Sequence, residues 1–483
     1  MIKRHHMIKI QRPFKNKLRR PVFLKRRSFR PHPSRAELYA EGKRLRDKCP
    51  RQAHAEWKAS NNRPDPVLLM EESSKGRIPQ LIPIRYGRMM QSPFTFYRGA
   101  ALNMAADLAK TPVTGVRVQA CGDCHLLNFG VYATPERREI FDINDLDETL
   151  PAPWEWDVKR LAASFVLACR DNGLSEDTAR DVVLTCVRSY RRHMAEFSEM
   201  RFLDVWYSSM AVTDLIPTIK RKQARKRFQK RLAKARQQQV LEHDFPKLAE
   251  VIGRLPVIKD NPPLIYHWRE KERQRGFFAA VEAAFTSYRD SLREDRRVLL
   301  DRYELRDVAN KVVGIGSVGT LCGIMLLMAG EQDPLFLQVK EAGPSVLEPY
   351  AGKSIHPNHG QRVVNGCRLM QAASDIFLGW TMGRNGRHFY IRQLRDMKIK
   401  VLVELFGRTS MMQYANLCGW ALARAHARSG QPAKISGYLG RSDKFDRAIA
   451  DFAVAYADQS EHDHKLLRKA VRDGRLEVQI EER

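Results

Sequence analysis

The segment GDCHLLN at residues 122–128 carries an Asp and an Asn at a spacing that phosphoryl-transfer enzymes use. In that chemistry an Asp accepts the proton of the hydroxyl group to be phosphorylated, and an Asn five residues later binds Mg²⁺. Asp123 and Asn128 have this spacing, and the short loop between them would direct both side chains at one phosphoryl group. The same spacing also occurs in ordinary structural turns, so the pair alone does not define a function.

A cluster of acids follows at the end of a short predicted strand. Asp142, Asp145, Asp147 and Glu148 lie within seven residues. Kinases place a metal-binding acid on the strand after the catalytic loop, and carboxylate oxygens are suitable ligands for Mg²⁺. Four neighbouring carboxylates repel one another unless a cation lies close to them. A solvated acidic turn is the alternative interpretation.

Residues that could hold nucleotide phosphates occur much later in the chain. Gly314, Gly316 and Gly319 form a G-x-G-x-x-G pattern, and Lys340 ends the apolar run LFLQVK. In kinases a glycine-rich loop covers the phosphates of ATP and a strand lysine pairs with them. For the glycines, the alternative interpretation is a tight hairpin. For Lys340, it is a lysine at a sheet edge whose ammonium group reaches water. The carboxylate that would pair with Lys340 is not evident, and Glu348 is the candidate.

The C-x-x-C-H pattern of Cys121, Cys124 and His125 is typical of haem attachment, and C-x-x-C alone is typical of redox sites. Haem attachment requires export, and no secretory signal is recognisable. A single C-x-x-C also does not support a zinc site. We interpret both cysteines as packing residues of a loop. The eight cysteines of the 483-residue chain are too few for a disulfide scaffold, which favours a reducing cytoplasm.

Three motifs, GDCHLLN, NDLDE and WD at residues 156–157, resemble in their order the GDxHxxN, DFD and WD motifs of aminoglycoside-phosphotransferase-like kinases. A closer resemblance is to a bacterial family, domain of unknown function 2252. It extends from about residue 35 to the C-terminus and rests on the segments at 92–99, 121–130, 141–160 and 392–398.

The resemblance implies a kinase-related fold and a role for each matching residue. Asp123 would be the catalytic base, Asn128 and Asp145 would bind the metal, and Asp147 could share it. Asp157 would brace the catalytic loop. ATP and Mg²⁺ are the implied cofactors. The chain has Cys121 where the kinases have a His, which matters little because the Asp accepts the proton.

In this chain the catalytic loop precedes the nucleotide-binding residues, the reverse of the order in kinases. We therefore predict an α+β, protein-kinase-like two-lobed fold that is circularly permuted and has additional helices. If Lys340 and Asp145 bind one nucleotide, they must face the same cleft within about 10 Å of each other.

Hydrophobic periodicity predicts the elements that position these residues. The predicted strands are at 116–120, 139–143, 311–315, 321–329 and 335–340. The predicted helices are at 156–169, 220–236, 360–375 and 411–428, with Ser175 capping a further helix and a loop followed by a helix at 85–109. The predicted domains are a basic disordered arm at 1–34, a catalytic-loop lobe with a helical insert at 35–300, a nucleotide-binding lobe at 301–400, and C-terminal helices at 401–483 that pack on the catalytic lobe.

The net charge of +29 is concentrated in two segments. Residues 1–35 contain 13 Lys and Arg, residues 220–236 contain 10, and neither segment contains an acid. Such segments can bind nucleic acid weakly by releasing counterions from its phosphates. Flexible, solvated charge is the alternative.

The uncharged segment at 312–330 is long enough to span a membrane. Its five glycines each cost about 1 kcal/mol in a helix, so we predict a glycine-rich turn between buried strands and no membrane span. The sequence thus supports two hypotheses. One is a cytoplasmic, ATP- and Mg²⁺-dependent phosphotransferase whose acceptor is not identified. The other is a non-catalytic, kinase-like protein that binds nucleic acid through its basic segments.

Overall fold

The fold is α+β, with helices and strands that alternate along the chain. The structure, a computed structural model, describes residues 33–237, 245–253, 255–267, 277–312, 314–394, 398–399 and 401–481. Residues 35–483 make one compact unit. The boundaries expected inside this unit, at residues 300 and 400, stay predictions. The basic arm expected at 1–34 lies outside the described residues except for its last two.

Helices make up most of the unit. They are α1 (Arg35–Lys48), α2 (Pro66–Glu72), α3 (Ile82–Met89), α4 (Pro93–Gly99), α5 (Ala101–Leu108), α6 (Trp154–Asp171), α7 (Glu176–Glu199), α8 (Phe202–Tyr207), α9 (Val212–Leu215), α10 (Lys222–Gln237), α11 (Phe245–Leu248), α12 (Phe277–Ser291), α13 (Glu294–Leu300), α14 (Glu348–Ala351), α15 (His359–Met370), α16 (Arg408–Ser429), α17 (Pro432–Leu439) and α18 (Lys444–Arg472). Helix α6 is buried on all sides, as expected of a central helix. It packs against α7 and α18 in the main hydrophobic core.

The described strands form a six-stranded antiparallel sheet and three two-stranded pairs. They are β1 (Arg117–Ala120), β2 (Phe129–Ala133), β3 (Glu139–Ile143), β4 (Leu150–Pro153), β5 (Ala249–Ile252), β6 (Leu255–Ile258), β7 (Ile265–Tyr266), β8 (Glu304–Lys311), β9 (Cys322–Ala329), β10 (Asp333–Glu341), β11 (Gly379–Met382) and β12 (His388–Gln393). The large sheet has the order β11-β12-β10-β9-β8-β7, with each neighbouring pair antiparallel. Strand β10, which carries Lys340, is therefore an interior strand.

Several elements agree with the sequence predictions. Strands β1 and β3, helices α6, α15 and α16, and the basic helix α10 occur where periodicity predicts them. The hydroxyl oxygen of Ser175 accepts a hydrogen bond from the backbone N–H of Thr178 at 3.3 Å, so this residue caps α7 as predicted.

Two local predictions were wrong. The loop expected before the helix near residue 101 contains α3 and α4, because Ser92 and Thr95 form a capping box and Pro93 takes the first helical position. The strand expected at 311–315 ends at Lys311, and a turn follows it.

The uncharged segment at 312–330 contains this turn, as the glycine content predicts. Strand β8 precedes the turn and the buried strand β9 follows it, with a single 3₁₀ turn at Ile315–Ser317 between them. Among the helices that the structure describes, none is both long enough and apolar enough to cross a membrane.

A buried ion pair ties the β2–β3 hairpin to helix α16. Both oxygens of Asp142, in β3, accept hydrogen bonds from Arg424 Nη2 at 2.8–2.9 Å, and the two side chains are at most 1% exposed. Asp142 also accepts hydrogen bonds from the backbone N–H groups of Ile143 and Ala372. Because β3 leads directly into the acids at 144–148, this pair helps to fix their position.

We predict that Arg424→Met lowers the free energy of unfolding by about 3 kcal/mol, because it leaves the Asp142 carboxylate buried without its cation. Chemical denaturation measures this loss. The control Arg201→Gln removes an exposed arginine that pairs with Asp204 on the surface, and it should leave stability nearly unchanged. A loss below about 1 kcal/mol for Arg424→Met would show that Asp142 does not depend on this partner.

Candidate active site

A polar cleft of about 370 Å³ lies where three separate parts of the chain meet. They are the Asp123 loop (residues 121–128), the acid segment (residues 144–148) and the glycine loop (residues 314–319). Lys340 of β10 and three arginines, Arg77, Arg85 and Arg98, are among the other lining residues. This volume is within the range of small-molecule binding sites.

The Asp123 loop is held by the side chain of Asp157, in the first turn of α6. The backbone N–H groups of Cys121 and Gly122 donate hydrogen bonds to its two oxygens, at 2.6 and 3.1 Å. His426 Nε2 lies 3.1 Å from the same carboxylate, and Tyr190 holds the other ring nitrogen of His426. Asp157 thus has the bracing position that the resemblance implies.

Gly122 is required by the shape of this loop. Its φ is +85°, which disfavours any residue with a Cβ, and a Cβ there would collide with the carbonyl oxygen of Glu148. The loop therefore packs directly on the backbone of the acid segment.

Asp123 lines the cleft with its carboxylate partly exposed. Arg160 Nε donates a hydrogen bond to its Oδ1 at 2.7 Å, and His125 Nε2 lies 3.9 Å from its Oδ2. Asn128 Nδ2 donates to the backbone oxygen of Asp123 at 2.7 Å, so Asp123 and Asn128 lie side by side. Burial lowers the pKa of His125 to about 3, so the imidazole is neutral at physiological pH.

Lys340 joins the large sheet to the acid segment. Its Nζ donates a hydrogen bond to Asp147 Oδ2 at 3.0 Å and lies 3.7 Å from Asp145 Oδ2, although its side chain is only 6% exposed. The hydroxyl of Tyr390, opposite Lys340 in the sheet, donates to the other oxygen of Asp147. The predicted proximity of Lys340 and Asp145 is thus confirmed.

The two carboxylates differ in their electrostatic environment. Burial opposes ionisation of Asp145, but Lys340 and Arg392 outweigh it and hold the pKa of Asp145 at about 2. Burial and the charge of Asp145 raise the pKa of Asp147. Burial would lower the pKa of Lys340, but the two carboxylates raise it well above its usual value. The ammonium and the Asp145 carboxylate are therefore charged at physiological pH.

The glycine loop is only partly in the cleft. Gly314, Gly316 and Ser317 line it, and the Ser317 hydroxyl donates to Asp147 at 3.4 Å. Gly319, with φ +87°, lies outside the lining and packs against the side chain of Arg77. It closes the turn into β9.

Glu348 is not the partner of Lys340 in the described structure. It begins α14, where its Oε1 lies 3.4 Å from the backbone N of Ser345 and 3.7 Å from His359 Nδ1, and it is outside the cleft lining. Asp147 and Asp145 take its place, because they are the carboxylates that the fold brings to the end of β10.

The residues that sequence reasoning missed are mainly cations. Arg160 lies three positions after Asp157 on α6, so it faces the same loop. Arg98 and Arg392 lie inside segments that carry the family resemblance. Their place in these segments was the one sequence feature that could have marked them as site residues. Arg77 and Arg85 are far from any motif and reach the cleft only through the packing of α2, α3 and the glycine loop.

The oxygens in the cleft are of the kind that Mg²⁺ prefers. Oδ1 of Asp145 is buried and has no hydrogen-bond partner in the described residues, and Asn128 lines the same space. Within the part of the chain that the structure describes, no group of three or more His, Cys, Asp and Glu side chains could hold a metal ion. A cation here would need Asn128 and oxygens of a bound small molecule in addition to the carboxylates.

A family model described as an uncharacterized protein conserved in bacteria (DUF2252) matches residues 77–470. The chain belongs to this family. The DUF2252 match covers the Asp123 loop, the acid segment, the glycine loop and Lys340, and it confirms the closer of the two resemblances. No curated protein and no solved structure matches the chain.

We predict that Asp157→Asn loosens the Asp123 loop. The new side chain has a nitrogen, which cannot accept a hydrogen bond, in place of one carboxylate oxygen. The free energy of unfolding should fall by about 1–3 kcal/mol, and the amides of Cys121 and Gly122 should exchange hydrogen faster. Hydrogen exchange followed by mass spectrometry measures the second effect. The control Asp473→Asn makes the same change at an exposed site. Unchanged exchange of the 121–128 peptide would contradict the bracing role.

Proposed function

We propose that this DUF2252 protein is a kinase-like phosphotransferase that uses ATP and Mg²⁺. The observation that carries the proposal is the position of Lys340. Its ammonium lies 3.0 Å from Asp147 and 3.7 Å from Asp145, at a cleft that Asp123 and Asn128 also line. A lysine, metal-binding oxygens and a candidate base in one cleft are the parts that phosphoryl transfer needs.

The chain offers a separate group for each part of a bound nucleotide. Lys340 would turn from Asp147 to pair with the non-reacting phosphates, and the N–H groups of the glycine loop would cover them. Asp145 and Asn128 would hold the Mg²⁺ ion, and Asp147 could share it. The ion would supply the positive charge that offsets the negative charge of the transferred phosphoryl group.

Asp123 would accept the proton of the acceptor hydroxyl. Its Oδ1 is held by Arg160, which fixes the orientation of the carboxylate. Such positioning is a large part of catalysis in phosphoryl transfer, because little covalent chemistry falls to the protein.

The proposal includes a circularly permuted kinase-like fold. The six-stranded antiparallel sheet would be the nucleotide lobe and would follow the catalytic loop along the chain. All eight cysteines are free and buried, which supports a reducing cytoplasm as the place of the reaction.

The exposed lysines of α10 support a second candidate function, non-catalytic binding of nucleic acid. Lys222, Lys226, Lys230 and Lys234 are exposed at a spacing of four residues, so they share one face of the helix. This face could contact phosphates without sequence preference. The other basic segment of this hypothesis, residues 1–35, lies outside the described residues except for its last three.

Calorimetric titration of ATP into the full chain, with Mg²⁺ and with EDTA, separates the two functions. We expect Mg²⁺-dependent binding to the wild type. Asp145→Asn should weaken binding in Mg²⁺ by about tenfold or more, because it removes a charged metal ligand, and it should have far less effect in EDTA.

Asp473→Asn is the matched control, since it removes an exposed carboxylate that is not part of the cleft lining. It should bind ATP as the wild type does. A wild type that binds no nucleotide in either condition would contradict the proposed phosphotransferase, and binding of duplex DNA that weakens steeply with salt would then favour the second function.

A further inference from the structure

Arg98 lines the Asp123 side of the cleft and has no counter-ion among the described residues. It lies near the end of α4, its Nε is buried, and no hydrogen bond or ion pair from its guanidinium group occurs among the described residues. The charges that act on it are those of Asp123, Glu404 and Arg88, and burial lowers its pKa. An unpaired, half-buried guanidinium group lowers the stability of the fold. Proteins keep such a destabilising group where it serves a function.

Two more arginines line the cleft, Arg85 and Arg77. Together with Arg98 they form what we call the cationic wall. Arg85 is 1% exposed and donates hydrogen bonds to the hydroxyls of Ser73 and Ser74 and to the carbonyl oxygen of Gly99. Arg77 donates to the carbonyl oxygens of Ser73 and Val318. Neither has a carboxylate partner in the described part of the chain, whereas Arg63, Arg160 and Arg424 each pair with an aspartate.

Arg98 lies on the Asp123 side of the cleft, because the carbonyl oxygen of the preceding residue, Tyr97, accepts a hydrogen bond from Arg160, which holds Asp123. Arg77 reaches Val318 of the glycine loop. Arg98 acts electrostatically on His125 and is itself influenced by Asp123. Lys340, in contrast, responds to Asp145, Asp147, Tyr390 and Arg392. Arg98 and Lys340 thus respond to different carboxylates, Arg98 to Asp123 and Lys340 to Asp145 and Asp147.

We propose that Arg98, supported by Arg77 and Arg85, forms an anion subsite for the acceptor. The inference rests on the proposed phosphotransferase function and adds the substrate class. The acceptor would carry a phosphate or carboxylate group besides the hydroxyl that Asp123 activates. Guanidinium groups bind both anions well, with two parallel hydrogen bonds where the geometry allows. A polycationic amino sugar would be repelled by this wall.

Titration of inorganic phosphate into the full chain tests the subsite directly, with calorimetry as the readout. We expect binding to the wild type, weakening by about tenfold or more in Arg98→Gln, and partial recovery in Arg98→Lys. Arg302→Gln removes an exposed arginine outside the cleft and should bind as the wild type does. Because Arg98 has no hydrogen-bond or ion-pair partner in the described part of the chain, Arg98→Gln should keep the thermal midpoint of the wild type or raise it.

A second titration, in saturating Mg²⁺ and a non-hydrolysable ATP analogue, separates the acceptor from the nucleotide. Phosphate that still binds supports an acceptor subsite, and phosphate that the analogue displaces overturns it, since the arginines would then hold nucleotide phosphates. Equal phosphate affinity in the wild type and Arg98→Gln, or no binding to either, also overturns the subsite. Phosphate binding through Arg98 in a protein that binds no nucleotide would leave the anion subsite standing and remove the phosphotransferase function.

Discussion

The ammonium group of Lys340 lies almost completely out of water, and a buried charge must be compensated. Asp147 and Asp145 compensate it from a different part of the chain, and Tyr390 fixes the orientation of Asp147. This contact joins the six-stranded sheet to the acid segment. The acids also need the lysine, because their carboxylates would otherwise repel each other. The two halves of the cleft therefore depend on one ionic cluster.

Other buried polar contacts fix the position of the cleft on the helical part of the fold. Asp157 holds the Asp123 loop on α6, and Arg424 holds Asp142 on α16. Each joins a loop or strand of the site to a central helix of the core. Buried charge pairs add little net stability compared with apolar packing, but breaking one is costly. Such pairs fix the geometry of the cleft.

Three further cations line the cleft without a carboxylate partner among the described residues. Arg85 is buried and Arg77 and Arg98 are half-buried where they line the cleft, although hydrophobic packing alone would favour other residues there. Proteins retain groups of this kind where a ligand supplies the missing charge. Under the proposed function, an anionic acceptor would supply this missing charge.

The local features of this arrangement could be predicted from the sequence, and the pairings across the chain could not. Strands β9 and β10 follow from apolar runs, and the Asp123 loop follows from its motif. The partner of Lys340 depends on which acids the fold brings to the end of β10, and no local pattern distinguishes Asp147 from Glu348. Helices α3 and α4 were predicted as loop because each is only about two turns long, too short for periodicity to show. Arg77 and Arg85 belong to no motif.

The most direct test of the central claim is chemical labelling of Lys340 by a nucleotide. An acyl phosphate of ATP transfers its acyl group to a lysine that lies beside the bound phosphates, and mass spectrometry identifies the modified residue. With Mg²⁺ present, we expect acylation of Lys340 that excess ATP prevents. Acylation confined to surface lysines such as Lys222 and Lys226, with no protection by ATP, would contradict a nucleotide site between the sheet and the acid segment.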